Sequence, residues 1–375
     1  MSSLLEATRK RCERAVTEEV FPGAVFAWVT PTVVEIEAVG RHTYEPDAPL
    51  VTPESVYDVA SLTKLIGPMS LAQQLIDEAV LSFSLRVGEL LPEFATDEYK
   101  RAVTLRHLMT YTVDFQYDDA VRAHLWRGER GDPLPPAHFL KTLLSLPLRC
   151  PPGTSYQYSD ITAIALTQLI ERATGRSLPE SCAERFLQPL GMHNATFTPE
   201  VISRERVVPT EVTAERGLVW GAVHDEKAAY LKTGGITAGS AGLFTTITDV
   251  ARYLQMVIGS GVWEGRRYVS ESLVKMWMTD LVPNIDAHTP LAWGDRFGQP
   301  GNPYHTQTYT DSLYEDYPGR LVTKGGFTGC FMAADLDRRC AVAVLSNTVH
   351  PRRPDDPRAF NAIKEEFVQS LANAT

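Results

Sequence analysis

Apolar positions along the chain change period several times, and those changes mark out the elements. From Leu4 to Glu18 they recur at spacings of three and four among charged residues, which predicts an amphipathic helix ending before Phe21-Pro22-Gly23. Two β-like runs, Val25 to Val29 and Val33 to Val39, are joined by Thr30-Pro31-Thr32 and predict a hairpin. Val56-Tyr57-Asp58-Val59-Ala60 then leads into a long region of helical spacing, with apolar clusters at Gln73 to Ile76, Leu85 to Leu91, Leu105 to Met109 and Phe139 to Leu146. Ile161 to Ala173 is the clearest helix, with Gly175 just past it as a stop signal. Beyond residue 215, Thr233 to Thr246 is small and glycine-rich, and Ile247 to Ile258 is helical again. Residues 283–320 carry five prolines and six aromatics without periodicity and predict a long loop. Strand-like runs return at Cys330 to Ala334 and Ala341 to Leu345, and a last amphipathic helix puts Phe360, Ile363, Phe367, Val368 and Leu371 on one face.

This order predicts an α/β (α+β) fold in which an antiparallel sheet is flanked by N- and C-terminal helices. Residues 1–60 and 225–375 would form that discontinuous α/β lobe, with a mostly helical lobe of residues 61–224 inserted and a cleft between them.

Composition changes the picture mainly by exclusion. The 375 residues are 44% apolar and 22% charged, close to the average for globular proteins. Thirty-six basic and 46 acidic residues leave a net charge of −10 with no basic stripe, so nucleic acid is not an expected partner. The five cysteines, Cys12, Cys150, Cys182, Cys330 and Cys340, include no C-x-x-C pair and are odd in number, so no zinc site, other metal or disulfide framework is expected. A hairpin would let Cys330 and Cys340 face each other, but reduced core thiols are the preferred reading. The charged N-terminal segment lacks an apolar h-region and reads as a helix rather than a signal peptide. A cytoplasmic protein with no membrane partner is therefore expected.

Candidate chemistry begins at Ser61-Leu62-Thr63-Lys64, an S-x-x-K pattern. Residues three apart share a helix face, so the Lys64 amine can reach the Ser61 hydroxyl. A serine needs a base to become a nucleophile, and burial or nearby positive charge can lower a lysine's pKa enough for that role. If Ser61 opens the helix, its backbone N–H is also available to an oxyanion. Alone the pattern is weak, because Ser272-Leu273-Val274-Lys275 matches equally well. That second copy reads as an ordinary helix surface. What separates the two is Tyr158-Ser159-Asp160 downstream and Lys324-Gly325-Gly326 further on. Tyr158 follows a Pro151-Pro152-Gly153 turn, and near ammonium groups its phenolate would be favoured as a proton relay. Lys324 precedes two glycines, as expected where a substrate backbone lies close to a strand.

With these three motifs in this order, the chain resembles the serine β-lactamase and penicillin-binding-protein superfamily, on the branch of class C β-lactamases and related esterases. Val20-Phe21-Pro22-Gly23-Ala24, Val103-Thr104-Leu105-Arg106-His107-Leu108, Pro189-Leu190-Gly191-Met192, Val223-His224-Asp225-Glu226, Ala241-Gly242-Leu243-Phe244, Gly326-Phe327-Thr328-Gly329 and Asn347-Thr348-Val349-His350-Pro351 extend the likeness over most of the chain. The resemblance implies a β-lactamase/DD-peptidase-like fold, with Ser61 the acylated nucleophile, Lys64 its helix-borne partner and Tyr158 the general acid/base. It further implies Lys324 as an electrostatic group, Asp160 and Gly326 at the substrate, and an oxyanion hole of the Ser61 and Phe327 backbone N–H groups. No cofactor is implied.

Three departures set this chain apart from the family pattern. Tyr111-Thr112-Val113-Asp114 stands where H-T-S-G is frequent, Gly325 replaces a threonine whose hydroxyl commonly touches the substrate, and Asp160 replaces an amide. An ionised Asp160 accepts hydrogen bonds but cannot donate. Asp160 also has the alternative reading of a helix N-cap. Gly67-Pro68 should kink the Ser61 helix after two turns. Gly239-Ser240-Ala241-Gly242 invites a nucleophile-elbow reading, but Ala238 stands where that pattern needs glycine, so close packing of small residues is expected. His224-Asp225-Glu226 reads as structural.

The expected activity is a serine hydrolase acting on a small-molecule ester or amide through a Ser61 acyl-enzyme, an ester being preferred. β-Lactamase or D-amino-acid peptidase activity, acyl transfer to an alcohol, and a non-catalytic ligand-binding or sensor protein on the same fold are the alternatives.

Overall fold

The computed structural model describes residues 3–117, 134–277, 279, 281–282, 285, 293 and 317–373. Strands from both ends of the chain build one antiparallel sheet. β1 (Gly23–Val29) and β2 (Val34–Gly40) form the N-terminal hairpin. A short pair, β3 (Tyr57–Asp58) and β4 (Phe244–Thr245), stands apart from the main sheet. β5 (Leu321–Gly326), β6 (Cys330–Asp335) and β7 (Cys340–Ser346) form a meander, and β1 pairs with β7 to give the order β2-β1-β7-β6-β5. Ala27 lies opposite Ala343, and Phe331 opposite Val344.

The alternation of side chains sorts the core into two layers. Ala24, Phe26, Phe331, Val342 and Val344 point to one face, where α1 (Ser3–Thr17) and the C-terminal helix cover them. Phe26 meets Phe367 edge-on at 6.1 Å, and Phe21 meets Phe360 at 6.4 Å. Val25, Ala27, Met332, Ala341 and Ala343 face the larger inner core. With both faces covered, β6 and β7 read as unbroken apolar runs rather than as half-buried strands. Cys330 belongs to the inner layer and Cys340 to the outer one, so the two thiols do not face each other, and all five cysteines are free.

The helical region departs from the sequence pattern in two places. The Ser61 helix begins as α2 (Leu62–Lys64), widens into a π turn over Leu65–Met69, and continues as α3 (Ser70–Asp77). Pro68 lacks the N–H that an α turn requires, and the wider turn steps over it instead of ending the helix. The Ser70 hydroxyl donates to the Leu65 carbonyl at 2.7 Å inside this turn. Leu85 to Leu91 forms only a single 3-10 turn over Val87–Glu89, with Gly88 at its centre lowering helix propensity. The other expected helices are present as α4 (Leu105–Met109), α5 (Pro136–Ser145) and α6 (Asp160–Thr174), the last closed by Gly175 at φ 67°. After them come α7 (Glu226–Thr233), α8 (Ile247–Ile258), which packs on β1 and β7, and the terminal α9 (Arg358–Ala372). No helix among the described residues is long and apolar enough to cross a membrane. Of the loop expected at 283–320, Trp293 and Tyr317 are described, whereas Phe297, Tyr304, Tyr309 and Tyr314 lie outside the described residues.

Gly326 fixes how the sheet meets the rest of the chain. A Cβ there would lie 2.4 Å from the Val59 carbonyl oxygen, whereas one at Gly325 would meet nothing within 4 Å. Gly326→Ala should therefore destabilise the protein by about 1–3 kcal/mol in urea unfolding. Gly325→Ala should stay within about 0.5 kcal/mol of wild type. Equal stabilities for the two variants would contradict the close approach of β5 to Val59.

Candidate active site

The segment before Ser61 is held extended by β3 pairing with β4, and Val59 N–H continues that ladder to the Leu243 carbonyl at 3.1 Å. Ala60 then turns into a left-handed conformation at φ 44°, and α2 starts with Ser61 as its N-cap. Among the described residues the Ser61 N–H has no acceptor, as its place at the helix start leads one to expect. The Lys64 ammonium comes back along the same face and donates to Ser61 Oγ at 2.9 Å. Its other two protons go to the Ser240 carbonyl at 2.8 Å and to Asp160 Oδ1 at 2.7 Å. An ammonium has three donors and no acceptor, so all of Lys64's capacity is in use.

Tyr158 stands two residues ahead of α6, and Ser159, not Asp160, caps that helix by accepting the Ile161 N–H at 3.1 Å. Asp160 is the first helical residue, which frees its carboxylate to turn toward the lysines. Ser61 and Lys324 both act on the Tyr158 phenol. Lys324 Nζ sits 4.5 Å from the Tyr158 ring centre and Lys64 Nζ 5.2 Å. β5 directs Lys324 to the inner face of the sheet, in register with Met332. Phe327 lies in the turn after β5, which closes with the Gly329 N–H on the Gly326 carbonyl at 3.1 Å. Ser61, Lys64, Tyr158, Asp160 and Lys324 thus meet at one place, with Gly326 and Phe327 beside them. Gly326 packs against Val59 and so holds β5 to the approach of Ser61.

The buried charges of this cluster act on one another. Burial pushes the Lys64 ammonium down, but the Asp160 carboxylate, then Tyr158, outweigh it, and the net shift is upward. The Asp160 carboxylate thus favours the charged form of Lys64 beside Ser61. Tyr158 moves the other way: burial pushes the phenol up, and the Lys324 and Lys64 ammoniums, then Ser61, bring it below its ordinary value. Burial holds Lys324 below the usual lysine range, with Tyr158 opposing and Lys64 assisting. For Asp160 burial acts upward, yet Lys64 and Lys227 hold the carboxyl well below the usual carboxylate range.

Lys227 is a site residue that motif reading missed. Its Nζ lies 3.0 Å from Asp160 Oδ2, so each Asp160 oxygen carries its own ammonium. A lysine in the first turn of α7, behind the Asp225 N-cap, opposes the helix dipole. That local mismatch is the signal a sequence reader could have used. Tyr111, which departs from the family pattern, also belongs to the site: its ring lies 4.9 Å from the Tyr158 ring and 5.1 Å from Lys324 Nζ. His224, Asp225 and Glu226 diverge: His224 Nε2 meets Glu211 at 3.0 Å, Asp225 caps α7, and Glu226 pairs with Arg353. Ser240 contributes its carbonyl rather than its hydroxyl, which is buried without a partner among the described residues. The second S-x-x-K copy is surface: Lys275 pairs with Glu271 at 3.1 Å, both 71% exposed.

A cleft of about 340 Å³ opens on Tyr158 and Asp160, with Asp114, Arg149, Gln157 and Lys227 in its wall.

A family model described as Beta-lactamase matches residues 9–365. A protein of Escherichia coli (strain K12), provisionally named D-alanyl-D-alanine carboxypeptidase, is 28% identical over 323 residues, covering 80% of this chain and 70% of its own. Simvastatin synthase (LovD) of Aspergillus terreus superposes with a TM-score of 0.76 at 17% identity, over 99% of this chain and 98% of that one. A class C β-lactamase of Rhodobacter sphaeroides does so with a TM-score of 0.70 at 17% identity, over 98% and 99%. At such identities the structural likeness speaks to the fold, and it is the β-lactamase/DD-peptidase-like fold.

An ultraviolet difference titration of wild type against Tyr158→Phe should show a phenolate forming below the ordinary tyrosine range near 10 in wild type only. Asp160 pushes Tyr158 upward, so Asp160→Asn should move that phenolate transition to still lower pH. An unmoved transition would mean that Asp160 does not act on Tyr158.

Proposed function

Given that the chain belongs to the Beta-lactamase family, we propose that it is a serine hydrolase that cleaves an ester of a small molecule through an acyl-enzyme on Ser61. The observation that carries this reading is the full commitment of the Lys64 ammonium, which leaves Tyr158 as the group able to take the Ser61 proton. Ser61 Oγ attacks the ester carbonyl while its proton passes to the Tyr158 oxygen. The oxyanion forms between the Ser61 and Phe327 N–H groups. Tyr158 then gives the proton to the leaving alkoxide, and the alcohol departs. In the second half a water transfers its proton to Tyr158 as its oxygen attacks the acyl carbon. Tyr158 returns that proton to Ser61 Oγ, and the carboxylic acid is released. Lys324 stabilises the phenolate in both halves.

Two features support an ester over a β-lactam. Asp160 is held by Lys64 and Lys227 and has no N–H to offer an acyl-side amide carbonyl. Gly325 brings no hydroxyl to the substrate edge of β5. A D-alanyl-D-alanine carboxypeptidase is the second reading, favoured by the provisional name of the Escherichia coli relative.

A fluorophosphonate should label wild-type protein at Ser61, and p-nitrophenyl esters of short acids should turn over faster than a chromogenic cephalosporin or a D-alanyl-D-alanine peptide. Ser61→Ala should abolish both labelling and turnover. Tyr158→Phe should lower kcat by about 10²- to 10⁴-fold. Faster peptide release than ester hydrolysis would favour the second reading, and wild type inert in every assay would overturn both.

A further inference from the structure

Asp58 is a buried carboxylate, 2% exposed, that none of the steps above uses. It joins two parts of the chain far apart in sequence. Oδ1 accepts the Ala60 N–H at 2.8 Å, and Oδ2 accepts the His224 N–H at 2.7 Å. The Asp58 backbone carbonyl accepts the Thr328 hydroxyl at 2.7 Å. Among the described residues no cation pairs with this carboxylate.

Each partner sits beside one N–H of the proposed oxyanion hole. Ala60 precedes Ser61 and holds a left-handed φ of 44° that an alanine seldom adopts. Its N–H on Asp58 fixes that turn, and with it the direction in which the Ser61 N–H points. On the other side Thr328 follows Phe327. The His224 ring stacks on the Phe327 ring at 5.8 Å and 24°, and Arg353 lies over the same ring at 5.2 Å. Glu211 holds both partners, receiving Arg353 Nε at 2.8 Å and meeting His224 Nε2 at 3.0 Å. Phe327 itself is 41% exposed, so these contacts rather than burial set its place.

We infer that Asp58 is a positioning residue that holds the two oxyanion donors, Ser61 N–H and Phe327 N–H, in register through its bonds to Ala60, His224 and Thr328. The inference rests on the acyl-enzyme reading proposed above. Two backbone N–H groups require two acceptor oxygens, which a carboxylate has and a carboxamide does not. Asp58→Asn presents an NH₂ group to one of them and breaks that bond with little change of shape. A displacement of about 1 Å at a reacting centre can lower a rate about 10²-fold.

The test compares wild type, Asp58→Asn and Thr328→Val by thermal melting, by kcat and KM on p-nitrophenyl acetate, and by the rate of fluorophosphonate labelling at Ser61. Folded Asp58→Asn should lose roughly 10- to 100-fold in both kcat and labelling rate. Its KM should stay within about threefold of wild type, and the Tyr158 phenolate transition should not move. Thr328→Val, which keeps the carboxylate, should lose roughly three- to tenfold in the same two rates. It tests the bond to the Asp58 backbone carbonyl; if Asp58→Asn does not fold, Asp58→Glu, which keeps two acceptor oxygens but moves them by one methylene, takes its place and should show the same loss in both rates. Wild-type rates in a folded variant, a loss confined to KM, or a moved Tyr158 transition would each overturn the assignment. A wild-type protein that neither labels nor hydrolyses esters would instead overturn the acyl-enzyme reading and this assignment with it.

Discussion

The arrangement depends on one buried ammonium with three protons and three fixed acceptors. Lys64 is wholly enclosed, and a charge in that position persists only if its surroundings replace the water it has lost. Each replacement draws in another part of the chain. The Ser240 carbonyl comes from the glycine-rich segment, where Gly239 approaches Thr167 of α6 too closely for a side chain. The Asp160 carboxylate comes from the start of α6 and is itself balanced by Lys227 at the start of α7. The third acceptor is Ser61. The Ser61 hydroxyl is thereby oriented by the same interaction that makes the lysine tolerable.

This charge arithmetic explains which parts of the site were legible in the sequence. Ser61 and Lys64 were, because their spacing is a property of any helix. Tyr158 was placed by the turn before it and by the motif order. The charge balance at Lys64 was not, since the direction of its shift depends on Asp160, a residue about a hundred positions away. Asp160 itself offered two readings, and the N-cap went to Ser159 because a hydroxyl one residue earlier fills that place. Lys227 has no motif at all. Only a tertiary partner gives it meaning, which is why local reading passed over it.

The fold was legible where burial repeats. α1, α6 and α8 lie within a residue or two of their expected limits, because their apolar stripes face a sheet or a core over several turns. The misses fall where backbone details override periodicity. Gly88 reduces an apolar cluster to one 3-10 turn, and Pro68 converts an expected kink into a widened turn. The hairpin between β6 and β7 was recognised, but its register was not, and the register is what sends Cys330 and Cys340 to opposite faces.

The pairing of β1 with β7 has a consequence for how the protein comes into being. Ala27 waits for Ala343, so β1 lies unpaired along one edge until the distant β7 has been made. Contacts of that sequence separation form late and slowly. Lys324 reaches Tyr158 only when the same meander docks. The cluster around Ser61 therefore stays incomplete in a nascent chain until that meander is in place.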